Sequence, residues 1–136
     1  MNEIVHNSSV VDELEKKGIE RTTDLNKVED GTLIISAHGV APSVIDAACA
    51  KGLNVVDSTC PLVKVIHKAA DHFINNDYTV IVFGDANHDE MKGVKGHKPE
   101  KIIILNKIES PNDLPETEGK VAFISQSTQS IELFNR

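Results

Sequence analysis

The stretch TLIISAHGVAPSVIDAACAKGLNVVDSTCP, residues 32–61, decides the fold. Its two ends, Thr32–Ser36 and Leu53–Asp57, are short runs rich in branched aliphatic residues, the composition of buried strands. Between them, Pro42 stands where a first helical turn tolerates proline, and Gly52 follows Lys51 as a helix-ending residue. The segment therefore reads strand, helix, strand, with Pro42–Lys51 as the helix. Such a crossover joins two parallel neighbours.

The same alternation continues outward in both directions. Further strand candidates are Glu3–Val5, Thr79–Gly84, Lys101–Leu105 and Lys120–Ser125. Ser8–Lys17 reads as a helix that places Val10, Val11 and Leu14 together, with Gly18 as its C-cap. Pro61–Asn75 carries Val65, Ile66, Ala69 and Phe73 at helical spacing and ends at Asn75-Asn76. Gln129–Phe134 looks like the start of one more helix. Residues 106–120, NKIESPNDLPETEGK, are acidic and hold two prolines, which marks a loop. The expected fold class is α/β: repeated βαβ units with small parallel sheets flanked by helices. No internal repeat of fixed period and no low-complexity tract interrupts it.

Composition narrows the function. The chain has 136 residues, 40% hydrophobic and 26% charged, a balance that favours folding over disorder. With 4% aromatics and no Trp, its core must be aliphatic. The net charge of −7 argues against nonspecific nucleic-acid binding and against an anionic membrane surface. An anionic ligand would need local positive potential from histidines and helix N-termini. No run of about 18 apolar residues is present, and MNEIVHNSSV lacks the basic and apolar regions of a signal peptide. Cys49 and Cys60 are too few for a disulfide scaffold, so the expected compartment is the cytoplasm.

In open parallel sheets, ligands bind beyond the carboxyl ends of the strands. Each strand candidate but one is followed there by reactive groups. They are His6 after the first, His38 after Ser36, and Cys60 after Asp57. His88 and Glu90 follow Gly84, and Gln126, Ser127 and Thr128 follow Ser125. Cys60 also precedes Pro61 at a helix start, where the peptide dipole favours a thiolate. Plainer readings stand beside these. Cys49, among alanines, reads as a small core residue. His72 and His97 read as solvated or locally hydrogen-bonded. His67 either packs or orients a neighbour, and Ser127 and Thr128 also fit as caps for the last helix.

EIVHN (3–7), ISAHGVAP (35–42), VDSTCPLVKVIH (56–67), HDEMKG (88–93) and SQST (125–128) together resemble the 4-hydroxy-3-methylbut-2-enyl diphosphate reductases of the non-mevalonate isoprenoid route. The motifs occur in that family's order and span nearly the whole chain. The resemblance implies three α/β domains in a cloverleaf around a [4Fe–4S] cluster held by three cysteines. Residues 1–60 would be the latter part of the first domain and 61–136 most of the second, with the third absent. It implies that Cys60 is one cluster ligand. His6 and His38 would lie near the substrate diphosphate. Glu90 would deliver protons within a network that includes His88. Ser127, with Gln126 and Thr128, would face the substrate hydroxyl. It also implies an electron donor such as ferredoxin or flavodoxin. Asp89 stands where the family usually has proline, and Ser127 where it usually has threonine. The residues alone also admit a zinc hydrolase built on His38, Cys60, His67 and His88, or a phosphate-binding α/β module without catalysis.

Overall fold

In the computed structural model the described residues are 4, 5, 7–107, 110, 112 and 114–130. Helix α1 (Ser8–Lys16) is followed by a 3₁₀ turn at Leu25–Lys27. Strand β1 (Thr32–Ile35), helix α2 (Pro42–Ala50) and strand β2 (Asn54–Asp57) form the first crossover unit. Helix α3 (Pro61–Asn75) leads into strand β3 (Tyr78–Phe83), helix α4 (Asp89–Lys95) and strand β4 (Ile102–Leu105). Strand β5 (Lys120–Ser125) closes the described part.

There are two sheets, β1-β2 and β4-β3-β5, and every pairing is parallel. The registers run Ile35↔Asp57 in the first sheet and Phe83↔Leu105 and Phe83↔Ser125 in the second. All strands of a sheet therefore end on one edge. The expected α/β class with parallel strands is what the chain adopts.

Local chemistry sets the element ends. Asn7 caps α1 by accepting from Val10 N at 3.3 Å. Gly52, at φ +79, follows α2 in the left-handed conformation. Its amide donates to Cys49 O and that of Leu53 to Ala48 O, the paired bonds of a Schellman ending. Leu53 and Ala48 then meet in the small core under β1, with Leu33 and Ile35. The larger core joins Ala70 and Ile74 of α3 to Val80 and Val82 of β3, Met91 and Val94 of α4, and Ile102. Each fully buried Val, Ile or Met contributes roughly 1.5–3 kcal/mol.

The structure corrects several expectations. Ile4 and Val5 form bends, with Ala37 N, just past β1, donating to Ile4 O at 2.9 Å; Glu3 and His6 lie outside the described residues. The last helix expected from Gln129 lies mostly outside them too. α3 has the expected limits, and Ile66 and Phe73 pack against the core as their spacing suggests; only Val65 departs from it. Val63, Ala70 and Ile74 are buried, whereas Val65 is 63% exposed. β2 is an edge strand and mostly exposed, since one neighbour covers only one side. Cys49 is exposed, not core: Ala48 beside it takes the inward position of α2. Among the described residues no helix is long and apolar enough to cross a membrane.

Helix α4 was not foreseen. It meets the loop after β1 at close range, because Gly93 and Gly96 lie one turn apart on it. A Cβ on Gly96 would overlap the Ala41 methyl and stand 3.1 Å from Ala41 Cα. Gly96→Ala should therefore lower the urea midpoint by the equivalent of about 1–3 kcal/mol, the usual cost of overpacking. An unchanged midpoint would show that this contact is loose.

Candidate active site at the strand ends

Three loops leave the carboxyl ends of β1, β2 and β3, and a fourth leaves β5. After β1, Gly39 N donates to Ser36 O at 3.1 Å, closing a turn around His38. Gly39 takes φ +73, which suits glycine. His38 is 7% exposed. After β2, Asp57 accepts from Thr59 N at 2.9 Å and pairs with Lys64 at 2.6 Å. These contacts fix the turn that delivers Cys60 to the N-terminus of α3. Cys60 N donates to Ala37 O at 2.9 Å, so the cysteine turn is stitched to the His38 turn.

After β3, Asn87 N donates to Asp85 Oδ1 at 2.9 Å, and His88 becomes the N-cap of α4. Its Nδ1 accepts from Glu90 N at 3.2 Å, which places the proton of the neutral ring on Nε2. The His38 and His88 rings meet edge to face, with centroids 5.5 Å apart. Asp89, in the first turn, pairs with Lys92 at 2.9 Å, which offsets its charge locally.

Glu90 is the most buried charged side chain here, at 2% exposure. Ser127 accounts for it. Ser127 N donates to Glu90 Oε1 at 2.8 Å and Ser127 Oγ to Oε2 at 2.6 Å. A carboxylate without such donors would not stay in so dry a place. Gln126, 4% exposed, accepts from Asp85 N at 3.0 Å and donates to Thr128 Oγ1 at 3.1 Å. It ties the β5 loop to the β3 loop; Thr128 lies exposed beyond it. Gly84 leaves room for it, since a Cβ there would stand 2.8 Å from Gln126 Oε1. The structure thus links His38, Cys60, His88, Glu90, Gln126, Ser127 and Thr128 through neighbouring loops. His6 lies outside the described residues.

Two partnerships escaped the sequence. One is the Glu90–Ser127 clamp. The other is His67, whose Nδ1 lies 2.8 Å from His97 Nε2. His97 is therefore held by a partner 30 positions away and not locally, whereas His72 is exposed as expected. Burial holds His67 below the ordinary value of 6.5, helped by the neighbouring His97 and opposed by the Glu90 and Asp57 charges. Burial also lowers His97, opposed by Asp71. The unfolded chain then takes up protons first as pH falls. The contribution of the pair is complete above 6.5 and is lost as pH drops through the lowered folded values. Unfolding free energy measured from pH 7.5 to 5 should fall more steeply in the wild type than in a His67→Gln, His97→Gln double variant. Parallel curves would refute this.

Among the described residues no three His, Cys, Asp or Glu side chains gather to hold a metal ion, so the zinc set of His38, Cys60, His67 and His88 is not assembled. An iron–sulfur cluster makes a different demand, a separate thiolate for each iron that the protein holds. Cys60 meets it: a free, half-buried thiol at the N-terminus of a 15-residue helix. Cys49 does not join it. It sits near the end of α2, which leads to the opposite, starting end of β2.

Comparison with known proteins gives one family. The family profile described as LytB protein matches residues 1–136. A 4-hydroxy-3-methylbut-2-enyl diphosphate reductase from Leifsonia xyli is 38% identical over 135 residues, covering 96% of this chain and 39% of the relative. The reductase of that name from Tropheryma whipplei is 37% identical, with 96% and 42% covered. Among solved structures, the E-1-hydroxy-2-methyl-but-2-enyl-4-diphosphate reductase from Plasmodium falciparum superimposes with a TM-score of 0.90 at 33% identity, over 98% of this chain and 42% of that one. A structure described as the terminal enzyme of the non-mevalonate pathway gives 0.79 at 31% identity, over 97% and 48%. The chain thus spans less than half the length of the relatives it matches.

Proposed function

The chain belongs to the LytB family, and from that premise we propose that it forms the part of an iron–sulfur reductase that holds an allylic diphosphate and supplies a proton as its hydroxyl leaves. The observation that carries the reading is a buried carboxylate, Glu90, clamped by Ser127 beside His88, whose ring meets His38 at the strand ends of the other sheet, next to the Cys60 turn. Residues 1–60 then belong to one α/β domain and 61–136 to the next, in keeping with α3 packing on β3 and β5.

The substrate would be 4-hydroxy-3-methylbut-2-enyl diphosphate, and the products isopentenyl and dimethylallyl diphosphate. Two electrons and two protons enter; the carbon–oxygen bond breaks, and water leaves. Cys60 would hold one corner of the [4Fe–4S] cluster, which when bound supplies the electrons, fed by a donor of ferredoxin or flavodoxin type. The chain's own groups do the rest. His6, His38 and His88 donate to the anion, giving an acidic chain the local positive potential it needs. The Ser127 hydroxyl, next to the reacting oxygen, holds the Glu90 carboxyl in line, and Glu90 passes the proton that turns a poor leaving group into water. Gln126 and Thr128 keep the Ser127 loop against the β3 loop. The cytoplasm suits two unpaired cysteines and an oxygen-sensitive centre.

The test is anaerobic incubation of a complete reductase containing this chain with the substrate and a one-electron donor. The expected result is both five-carbon diphosphates plus water. Intact substrate, or release of phosphate alone, would overturn the proposal. Within it, His38→Asn should raise KM and weaken competition by inorganic diphosphate about ten- to a hundredfold, for the loss of roughly 1.5–3 kcal/mol of charge-assisted bonding. Unchanged diphosphate competition would remove His38 from the anion site.

A further inference from the structure

His67 lies on α3, yet its ring occupies the space that side chains on Gly39 and Gly93, in the segments carrying His38 and Glu90, would take. A Cβ placed on Gly39 would stand 3.0 Å from His67 Nε2 and 3.1 Å from Thr59 Cγ2. A Cβ placed on Gly93 would stand 3.3 Å from His67 Cε1 and 3.4 Å from Nε2. The imidazole edge therefore fills a slot walled by two glycines. Gly39 follows His38, Thr59 precedes Cys60, and Gly93 sits one turn after Glu90. Two segments close on the ring directly, and Thr59 walls the same space at Gly39.

The ring is oriented from behind. His67 Nδ1 and His97 Nε2 are 2.8 Å apart, and the ring centroids 5.0 Å. His97 Nδ1 faces Asp71 Oδ1 at 3.7 Å, on the exposed side of α3. Among the described residues His67 Nε2 is buried without a hydrogen-bond partner. One tautomer suits all of this. His97 carries its proton on Nδ1, toward the carboxylate, and accepts at Nε2 from His67 Nδ1–H. His67 then presents a bare Nε2 lone pair to the slot, and no N–H is stranded, which is the costlier alternative.

We propose that His67 is a positioning residue: a neutral imidazole, locked by His97, that spaces the His38, Cys60 and Glu90 segments against one another. Its work needs the ring's shape and its donor bond, not contact with substrate. The inference rests on the assignment of those three residues to one site, and it explains how they are held in register across two sheets.

The test is NMR on the uniformly ¹³C,¹⁵N-labelled chain at pH 7.5, with circular dichroism as the check on folding. The wild type should show His67 with Nδ1 protonated and Nε2 bare, a nuclear Overhauser contact between the His38 and His88 rings, and a downfield Ser127 amide from its bond to Glu90. His67→Ala should fold yet lose the ring contact and shift the Ser127 amide upfield. His97→Gln keeps an acceptor for His67 Nδ1 and should retain both signals. His97→Ala leaves the ring but frees it, and should disturb both signals even if His67→Ala proves too unstable to study. A folded His67→Ala or His97→Ala chain with unchanged His38, His88 and Ser127 signals would reduce His67 to core filler. So would a wild-type His67 protonated on Nε2. None of these readings depends on substrate or cluster, so failure of the reductase proposal in turnover assays would be recognised separately.

Discussion

Glu90→Gln in the complete reductase should bind substrate with near-normal affinity and turn over at least roughly a hundredfold more slowly, because positioned acid catalysis is typically worth about 10²–10⁴-fold. The geometry makes this substitution informative. Glu90 is 2% exposed and receives two hydrogen bonds from Ser127, at 2.8 Å from the amide and 2.6 Å from the hydroxyl. A Gln oxygen can accept from the amide as before. Its NH₂ group can donate to the Ser127 hydroxyl, which needs only to rotate. Shape, clamp and helix start therefore survive, while the transferable proton does not. Glu90 also lies in the first turn of α4, where a negative charge stabilises the dipole by about 0.3–1 kcal/mol. If that were its whole role, Gln would cost a small part of the stability and leave turnover nearly normal. Single-turnover kinetics beside a urea titration separates the two outcomes.

The residues that would do this chemistry were individually legible in the sequence, since the strand-end rule picks out His38, Cys60, His88, Glu90 and Ser127 without coordinates. Their pairings were not. Glu90 and Ser127 are 37 positions apart, and His67 and His97 are 30 apart, so each contact exists only once the sheet is formed. His97 looked like a loop histidine because nothing near it in sequence needs a partner. Strands β1, β3, β4 and β5 were readable as dense aliphatic runs, and β5 ends where expected. Helix α4 was missed because it has only seven residues, with Gly93 inside it, and glycine weakens a helix by about 1 kcal/mol. Its signals were nonetheless present: Asp89 and Glu90 in the first turn, Lys92 and Lys95 in the last. Ile66 and Phe73 of α3 pack on the core as their spacing suggests, but Val65 does not, because apolar residues surround much of the helix near its start. Leu62 and Val65 are 66% and 63% exposed in this chain. Spacing alone cannot say which of two apolar stripes meets the core.

If these strand ends form a cluster-bearing reductase site, as proposed, Cys60 must hold one iron of the cluster. Its place is set by three independent features: the turn held by Asp57, the stitch from its amide to Ala37 O, and the N-terminus of α3. Serine preserves the shape of all three and removes only the thiolate. Cys49 provides the control, a free thiol of the same chain that is exposed near the end of α2. The measurement is iron and acid-labile sulfide per protein, after anaerobic purification of the complete reductase carrying Cys60→Ser or Cys49→Ser. The account predicts that Cys60→Ser loses most of both, together with the brown visible absorption, while Cys49→Ser matches the wild type. Full iron and sulfide in Cys60→Ser, or their loss in Cys49→Ser alone, would contradict it.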